Sequence, residues 1–425
     1  MYARINGRNY RRLKSISFAP ETDLTGNSIP INEISLDIVT EETISVGQYL
    51  FFYDDLNNLW CKYWIIYAER IDTEIVRVRS QSQLRLLERS KMPAVMYAST
   101  SVSTIIAAIF DNVGSGSYSL ASSLANKTVT GFCPEQTSRE RLQWVCFCIG
   151  AYIKSAFTDK IEILPIDETA THIPIEKTYW KPSVTHRDYI YAINVIEFSF
   201  TPGQPTNTGE WVTDGTNYWQ VTRSTRQLVN PDFPSGIPRE TVTYDSVYLV
   251  NRSNSDDILM RLASTYFKRD ELDTAIIANA DYEPGQKVVT YKDEMQAVTG
   301  HIEKMNFSFG VQAKATLHIT PIEDVDTAKL TITYMYNNKK LGQRKYYLPV
   351  GYTYNFSNPY LDLTDDSNRY VYRPLNASAT GTIQDGANTN TQNYEIALLL
   401  QTAEKILHIR SVTEIEIEEG VITIG

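Results

Sequence analysis

The sequence predicts a mainly β fold with an inserted α+β domain: two antiparallel β-barrels flank the insertion, and a further β-domain ends the chain. Three observations carry this reading. Apolar and polar residues alternate with a period of two in stretches on both sides of the middle. Helical periodicity is confined to residues 102–149 and one short run at 258–266. Tyrosine, with 28 residues against 14 Phe and 6 Trp, suits sheet surfaces and interfaces where the ring is covered and the hydroxyl stays wet. At 425 residues the chain exceeds a single core, and roughly 150 residues per domain suggests about three.

Residues 1–95 make the first barrel. Ile34, Leu36 and Ile38 alternate with Ser35, Asp37 and Val39, the period of a half-buried strand. Val46 to Tyr53 runs into the turn-rich Asp54 to Asn58, and Trp60 to Arg70 returns, a hairpin. A strand at Ile75 to Arg79 closes the region before an Arg-rich polar segment from Ser80 to Lys91.

Residues 96–184 make the α+β domain. Val102, Ile105, Ile106, Ile109 and Phe110 fall on one helical face, which Gly114 and Gly116 stop. Thr137-Ser138-Arg139-Glu140 is a capping box, in which hydroxyl and carboxylate satisfy orphan amides reciprocally. Leu142, Val145, Cys146 and Ile149 follow, and Gly150 is the C-cap. With Trp144, Phe147 and Cys148 also apolar, this second helix is expected to be buried nearly all round. Strands at 151–157 and 160–166 join at Thr158-Asp159.

Residues 185–322 make the second barrel. Ile190 to Phe200 is β-branched and aromatic, and Glu210 to Val221 reads as a hairpin about a two-residue Asp214-Gly215 turn. Tyr244 to Val250 is a further strand. A helix at 254–268 shows Ile258, Leu259, Leu262, Ala263 and Tyr266 on one face and takes its cap from Ser253, Asn254 or Ser255. Strands at 287–291, 295–308 and 312–320 follow, and a boundary falls at Pro321 to Thr327. Residues 327–425 read as a C-terminal, β-grasp-like domain. There Leu330, Ile332, Tyr334 and Tyr336 alternate, Asn337-Asn338 turns the chain, Tyr346 to Tyr354 returns, and Glu414 to Glu418 alternates with isoleucine.

Convergent chemistry is sparse. The net charge of −10 and the lack of a dense basic run weigh against a protein held on nucleic acid by phosphate contacts. Arg11, Arg12 and Lys14 read as a solvated strand end. His172, His186, His301, His318 and His408 are scattered; His301 and His318 could meet across strands, but a packed or solvent-facing role is simpler. Cys61, Cys133, Cys146 and Cys148 include no CxxC pair. Cys146 and Cys148 point roughly 200° apart on a helix and cannot share a ligand. Cys133 precedes Pro134 with no recognisable base. Gly114-Ser115-Gly116-Ser117 follows a helix instead of opening one, so it cradles no phosphate. The pairs Asp54-Asp55, Asp256-Asp257 and Asp365-Asp366 sit where Asp bonds its own backbone. Trp211, Tyr218 and Trp219 are a sugar-stacking platform or, more simply, cross-strand aromatic pairs. The expectation is no catalytic, cofactor-binding or metal residue, no cofactor, and no enzyme. The N-terminal residues lack an apolar signal core and no run of about 18 apolar residues occurs. Folding in a reducing cytoplasm without membrane insertion is therefore expected.

Two blocks carry a resemblance. Thr137 to Val145 continuing into Ile149-Gly150-Ala151-Tyr152 is one; Ile258 to Tyr266 with Glu283-Pro284-Gly285-Gln286-Lys287-Val288 and Thr299 to Met305 is the other. In both, the chain resembles tail hub proteins of Gram-positive phages, prophages and phage-tail-like bacteriocins, over roughly residues 1–322. Gln286 stands where that family commonly has an acidic residue. The resemblance implies two tube-type barrels per chain, residues 1–95 and 185–322, with the helical domain outside the ring. A homotrimer would present six barrels and adapt a sixfold tail tube to a threefold central spike or tip. Implied partners are the tail tube protein, the spike or tip protein, the tape measure protein and other baseplate proteins, with DNA only as passing cargo in a phage. The implied location is the distal tail or baseplate of a virion or tail-like particle, assembled in the bacterial cytoplasm and released by lysis. A receptor- or glycan-binding tail adhesin is the alternative, and a cell-wall hydrolase a third class.

Overall fold

The computed structural model describes residues 1–114, 116–173, 182–278, 280–293, 295–310 and 313–336, and beyond these only the backbone of strands between 339 and 424, together with the buried Pro349. It is mainly β and divides into two compact units. The first comprises 1–171, 175–288 and 300–322; the second comprises 172–174, 289–299 and 323–425.

The first unit opens with seven antiparallel strands: β1 Tyr2–Ile5, β2 Arg8–Tyr10, β3 Leu13–Phe18, β4 Glu33–Val39, β5 Tyr49–Tyr53, β6 Leu59–Asp72 and β7 Ile75–Gln81. Their order in the sheet is β2-β1-β5-β6-β7-β4-β3. The two end strands are consecutive in sequence, joined by Arg11 and Arg12 alone. Three Cα steps span at most about 11 Å. The sheet therefore curls far enough to bring its two end strands together at this link, the curvature expected of the first barrel. Ile34, Leu36 and Ile38 are fully buried inside it, as their alternation predicts, beside Leu50, Phe52, Tyr63 and Ile65. Phe307 adds to this core, its ring 4.7 Å from that of Trp60. The hairpin turn forms because Asp54 Oδ1 accepts the amides of Leu56 and Asn58.

The middle of the chain holds α1 (Val102–Val113) and α2 (Ser138–Ile149). Ser101 caps α1, and Gly114 ends it at φ +64°. The Thr137–Glu140 capping box is present, and Gly150 ends α2 at φ +70°. Ile105, Ile106 and Ile109 share one core with Leu142, Val145 and Cys146. Strands Ala151–Lys154 and Ile161–Pro165 pair antiparallel alongside.

Within residues 185–322, the helix α3 (Ser255–Tyr266) packs with a four-stranded sheet of Ala192–Gly203, Glu210–Thr213, Tyr218–Val229 and Thr241–Tyr244. Ile193, Val195, Leu249, Ile258, Leu259 and Leu262 enter the same core as α1 and α2. The apolar stripe of α3 needs a covering surface, and the middle domain supplies it. Gly131 makes the approach possible: a Cβ there would lie 2.5 Å from the carbonyl oxygen of Tyr248. What remains is a six-stranded sheet in which Ala297–Ser308, Lys314–Val325, Asp270–Ile277 and Ser183–His186 are neighbours in that order. Two differences are local. The 210–229 hairpin turns through four residues, Asp214 to Asn217, because the Asp214 carboxylate accepts the amides of Thr216 and Asn217. Asn254 occupies the N-cap of α3 without capping it; its side chain instead accepts the Asn251 amide.

In the second unit Thr327–Tyr336 pairs with Lys339–Pro349 and with Ile406–Ile417. The register sets Leu330 opposite Ile417 and Ile332 opposite Ile415, while Thr331 and Thr333 face Glu416 and Glu414. Every element among the described residues of 327–425 is a strand, so the helix of a β-grasp is not among them. The turn read at Asn337-Asn338, the pair Asp365-Asp366 and Glu418 lie outside the described residues, as does Ser115.

Candidate functional site

The histidines have separate partners. His301 Nε2 lies 3.1 Å from the backbone oxygen of Asp167, while His318 Nδ1 lies 2.9 Å from Asp273, with Glu271 and Glu303 at 3.7 Å from its other nitrogen. His186 pairs with Asp270 at 2.6 Å, and His172 sits edge-on to Tyr291. The side chain of His408 is outside the described set. No group of three or more His, Cys, Asp or Glu suited to a metal ion occurs among the described residues. All four cysteines are free and buried. Burial pushes the Cys133 and Cys146 thiols up to about 12, far from the thiolate a nucleophile needs at neutral pH. Asp256, in the first turn of α3, is engaged by Arg226 at 2.8 Å. The aromatic hairpin is divided by its register: Trp211 is opposite Gln220 while Trp219 is opposite Val212, so the two indoles leave opposite faces. Trp211 lies against Gly203, and Trp219 lies 6.4 Å from Phe132.

What the fold does assemble is a surface. On β1, β5 and β6 the residues alternate, with Ala3, Ile5, Leu50, Phe52, Tyr63 and Ile65 turned to the core. The intervening Arg4, Tyr49, Phe51, Tyr53, Lys62 and Trp64 face out, each partly exposed. Register aligns Arg4, Phe51 and Lys62 across three adjacent strands and sets Tyr49 opposite Trp64. Lys62 Nζ lies 5.1 Å from the Tyr49 ring centre, Arg4 lies 5.4 Å from Tyr53, and Arg11 covers Tyr2 at 4.8 Å. Each such contact contributes about 0.5–1 kcal/mol at an exposed site. None of Arg4, Arg11 or Lys62 is held in an ion pair among the described residues. The neighbouring outer face, on β4 and β7, is different: Arg77 grips Asp37 with two bonds of 2.8 and 3.0 Å, and Arg79 meets Glu33 at 2.9 Å. One part of the barrel wall is thus aromatic and cationic, and the adjoining part neutralises itself. Sequence reading missed this surface. The Tyr-Leu-Phe-Phe-Tyr run was visible, but only the register shows that its cations lack carboxylates.

No helix among the described residues is long and apolar enough to cross a membrane. No family model matches the sequence, and no curated protein matches it. Among solved structures, the chain is similar to the tail protein from Neisseria meningitidis MC58, at TM-score 0.53 and 10% identity, covering 75% of this chain and 95% of that one. The fold is that of phage tail proteins. The 43 kDa tail protein of prophage MuSo2 from Shewanella oneidensis shares it, at TM-score 0.51 and 9% identity over 75% of this chain and 97% of that one. At such identity the tail-protein fold is kept by patterns of buried and exposed positions, since cores tolerate wide apolar substitution when volume and pattern are preserved.

Proposed function

We propose that this chain is a structural hub of a phage or phage-like tail, acting by assembly and catalysing nothing. The observation that carries this is the shared fold, which extends over nearly the whole of two tail proteins. In this reading three copies close a ring at the distal end of the tail, and each contributes two barrels. Six barrels meet a sixfold tail tube, while the threefold axis receives a central spike or tip. The tape measure protein ends on the ring, other baseplate proteins surround it, and in a phage DNA passes through. The aromatic–cationic wall of the first barrel is the face we assign to packing within the ring. It combines large, stiff aromatic area with arginine, residue types that interfaces favour. The hub assembles in the bacterial cytoplasm and leaves with the particle on lysis.

Cryo-electron microscopy of the assembled particle tests this. The expected map shows three copies in a ring that displays six barrel densities toward the tube. A single copy per particle, or a ring of other symmetry, overturns the proposal.

A further inference from the structure

The four-stranded sheet carries an open seam. Strand Tyr218–Val229 is paired along its whole length with Ala192–Gly203 on one side. On its other side Glu210–Thr213 covers only Tyr218 to Val221. The chain turns away from the sheet at Gly209, whose φ is +90°. From Thr222 to Val229 the outer edge makes no backbone hydrogen bond to another segment among the described residues, and every residue there except Leu228 is exposed. The free edge runs for roughly 25 Å. It contains no proline and no bulge, two of the devices that blunt an edge, and its charged residues Arg223 and Arg226 are engaged by Glu210 and Asp256.

Beside this edge lies a groove of about 660 Å³ whose wall includes Glu197, Ser199, Thr222, Ser224, Arg252 and Asp256. Its lining is mostly settled already: Ser224 and Ser255 donate to Glu197, and Arg226 grips Asp256 with two bonds. Arg252 is the exception, exposed and without an ion pair among the described residues. The alternation of a strand sends Thr222, Ser224 and Arg226 to one face of the sheet and Arg223, Thr225 and Gln227 to the other.

We propose that Thr222–Val229 is a strand-addition site, occupied by an extended segment of a partner polypeptide with short polar and acidic side chains at alternate positions. The open row of N–H and C=O groups dictates a strand as occupant, because only an extended backbone satisfies it along its length. The hydroxyl-lined groove admits short polar side chains, and Arg252 supplies the complement to a carboxylate. This site stands whether or not the chain forms a hub ring.

The test uses the full chain and a labelled decapeptide of alternating Thr and Glu, read by fluorescence anisotropy and amide hydrogen exchange. Saturable binding is expected, with exchange across 222–229 slowed at least about tenfold and affinity lowered about tenfold by Arg252→Ala. Neighbouring residues of a strand point their amides to opposite sides, so Ser224→Pro and Thr225→Pro separate the two edges. One breaks the ladder to 192–203 and lowers the melting temperature. The other melts as wild type, since proline is tolerated where the amide faces outward, and it should lose the peptide. Absence of slowed exchange at 222–229, retained binding by the proline variant that folds normally, or equal binding of an alternating Thr-Lys peptide would each overturn the proposal.

Discussion

Replacing Arg261 by methionine tests how the helical core holds the segment that leaves β3. The guanidinium of Arg261 on α3 donates to the carbonyl oxygen of Thr25 at 3.0 Å, to that of Leu24 at a marginal 3.4 Å, and to that of Phe147, and lies 5.3 Å from the Phe147 ring centre. Phe147 belongs to the last turn of α2, whose carbonyls have no partner within the helix and carry its negative dipole end. Lys127 Nζ satisfies another of them, the Ile149 oxygen, at 2.8 Å. Burial pushes the Arg261 pKa down, a sign that the group is partly desolvated and that some of its bonding energy offsets that cost. Two firm charge-assisted bonds at about 1.5–3 kcal/mol each, less that offset, leave a net loss of about 3 kcal/mol on truncation. Methionine keeps the stem packed near Gly150, so little cavity term is added. Thermal unfolding followed by tryptophan fluorescence should show a fall of roughly 8 °C. Amide exchange should rise selectively at residues 22–28 and 146–150. Arg261→Lys, which keeps charge but loses the fork, should recover only part of the loss. A change below about 1 kcal/mol, within the range of ordinary surface substitutions, would refute the clamp.

Gly131→Ala should be more severe, because its φ of +138° and the 2.5 Å approach to the Tyr248 oxygen leave no room; soluble yield and melting temperature should both fall sharply, and a normal melt would refute the close packing. The double substitution Lys62→Glu with Arg4→Glu should lower the monomer's melt by only about 3–5 °C, through the lost contacts to aromatic rings, while abolishing ring formation as measured by mass photometry. Deleting residues 327–425 should leave the ring intact, as for a domain appended to the ring; loss of the ring in a soluble truncation would refute this. Burial lowers His172 from 6.5 to about 4, so on acidification the unfolded chain takes up a proton first and stability falls between those pH values. The full effect is about 3 kcal/mol, and His172→Phe should flatten this part of the urea-midpoint profile.

Much of the local structure was legible because its causes are local. The capping box at Thr137, the glycine stops at Gly114 and Gly150, and the buried alternation of Ile34, Leu36 and Ile38 each rest on residues within a few positions of one another. The fate of residues 190–267 was not legible, because the apolar face of α3 says that it is covered and not by what. The hairpin turn was misjudged for a side-chain reason: Asp214 takes two amides and lengthens the loop. The candidate surface needed the register of β1, β5 and β6, including the bulge at Phe52/Tyr53, before its cations could be seen to lack partners. The open edge arises from a mismatch between a long strand and a short neighbour, which no composition or periodicity records.

The two-residue link between β2 and β3 bears on how such a protein diversifies. The outer face of a curled sheet meets its neighbours through side chains, so one substitution can strengthen, weaken or invert what that face recognises. The open edge at 222–229 offers peptide groups, which nearly every substitution leaves unchanged. Partner choice at the barrel wall is therefore free to drift between lineages. A contact made through the edge would persist through the same drift, holding its geometry while the sequences on both sides turn over.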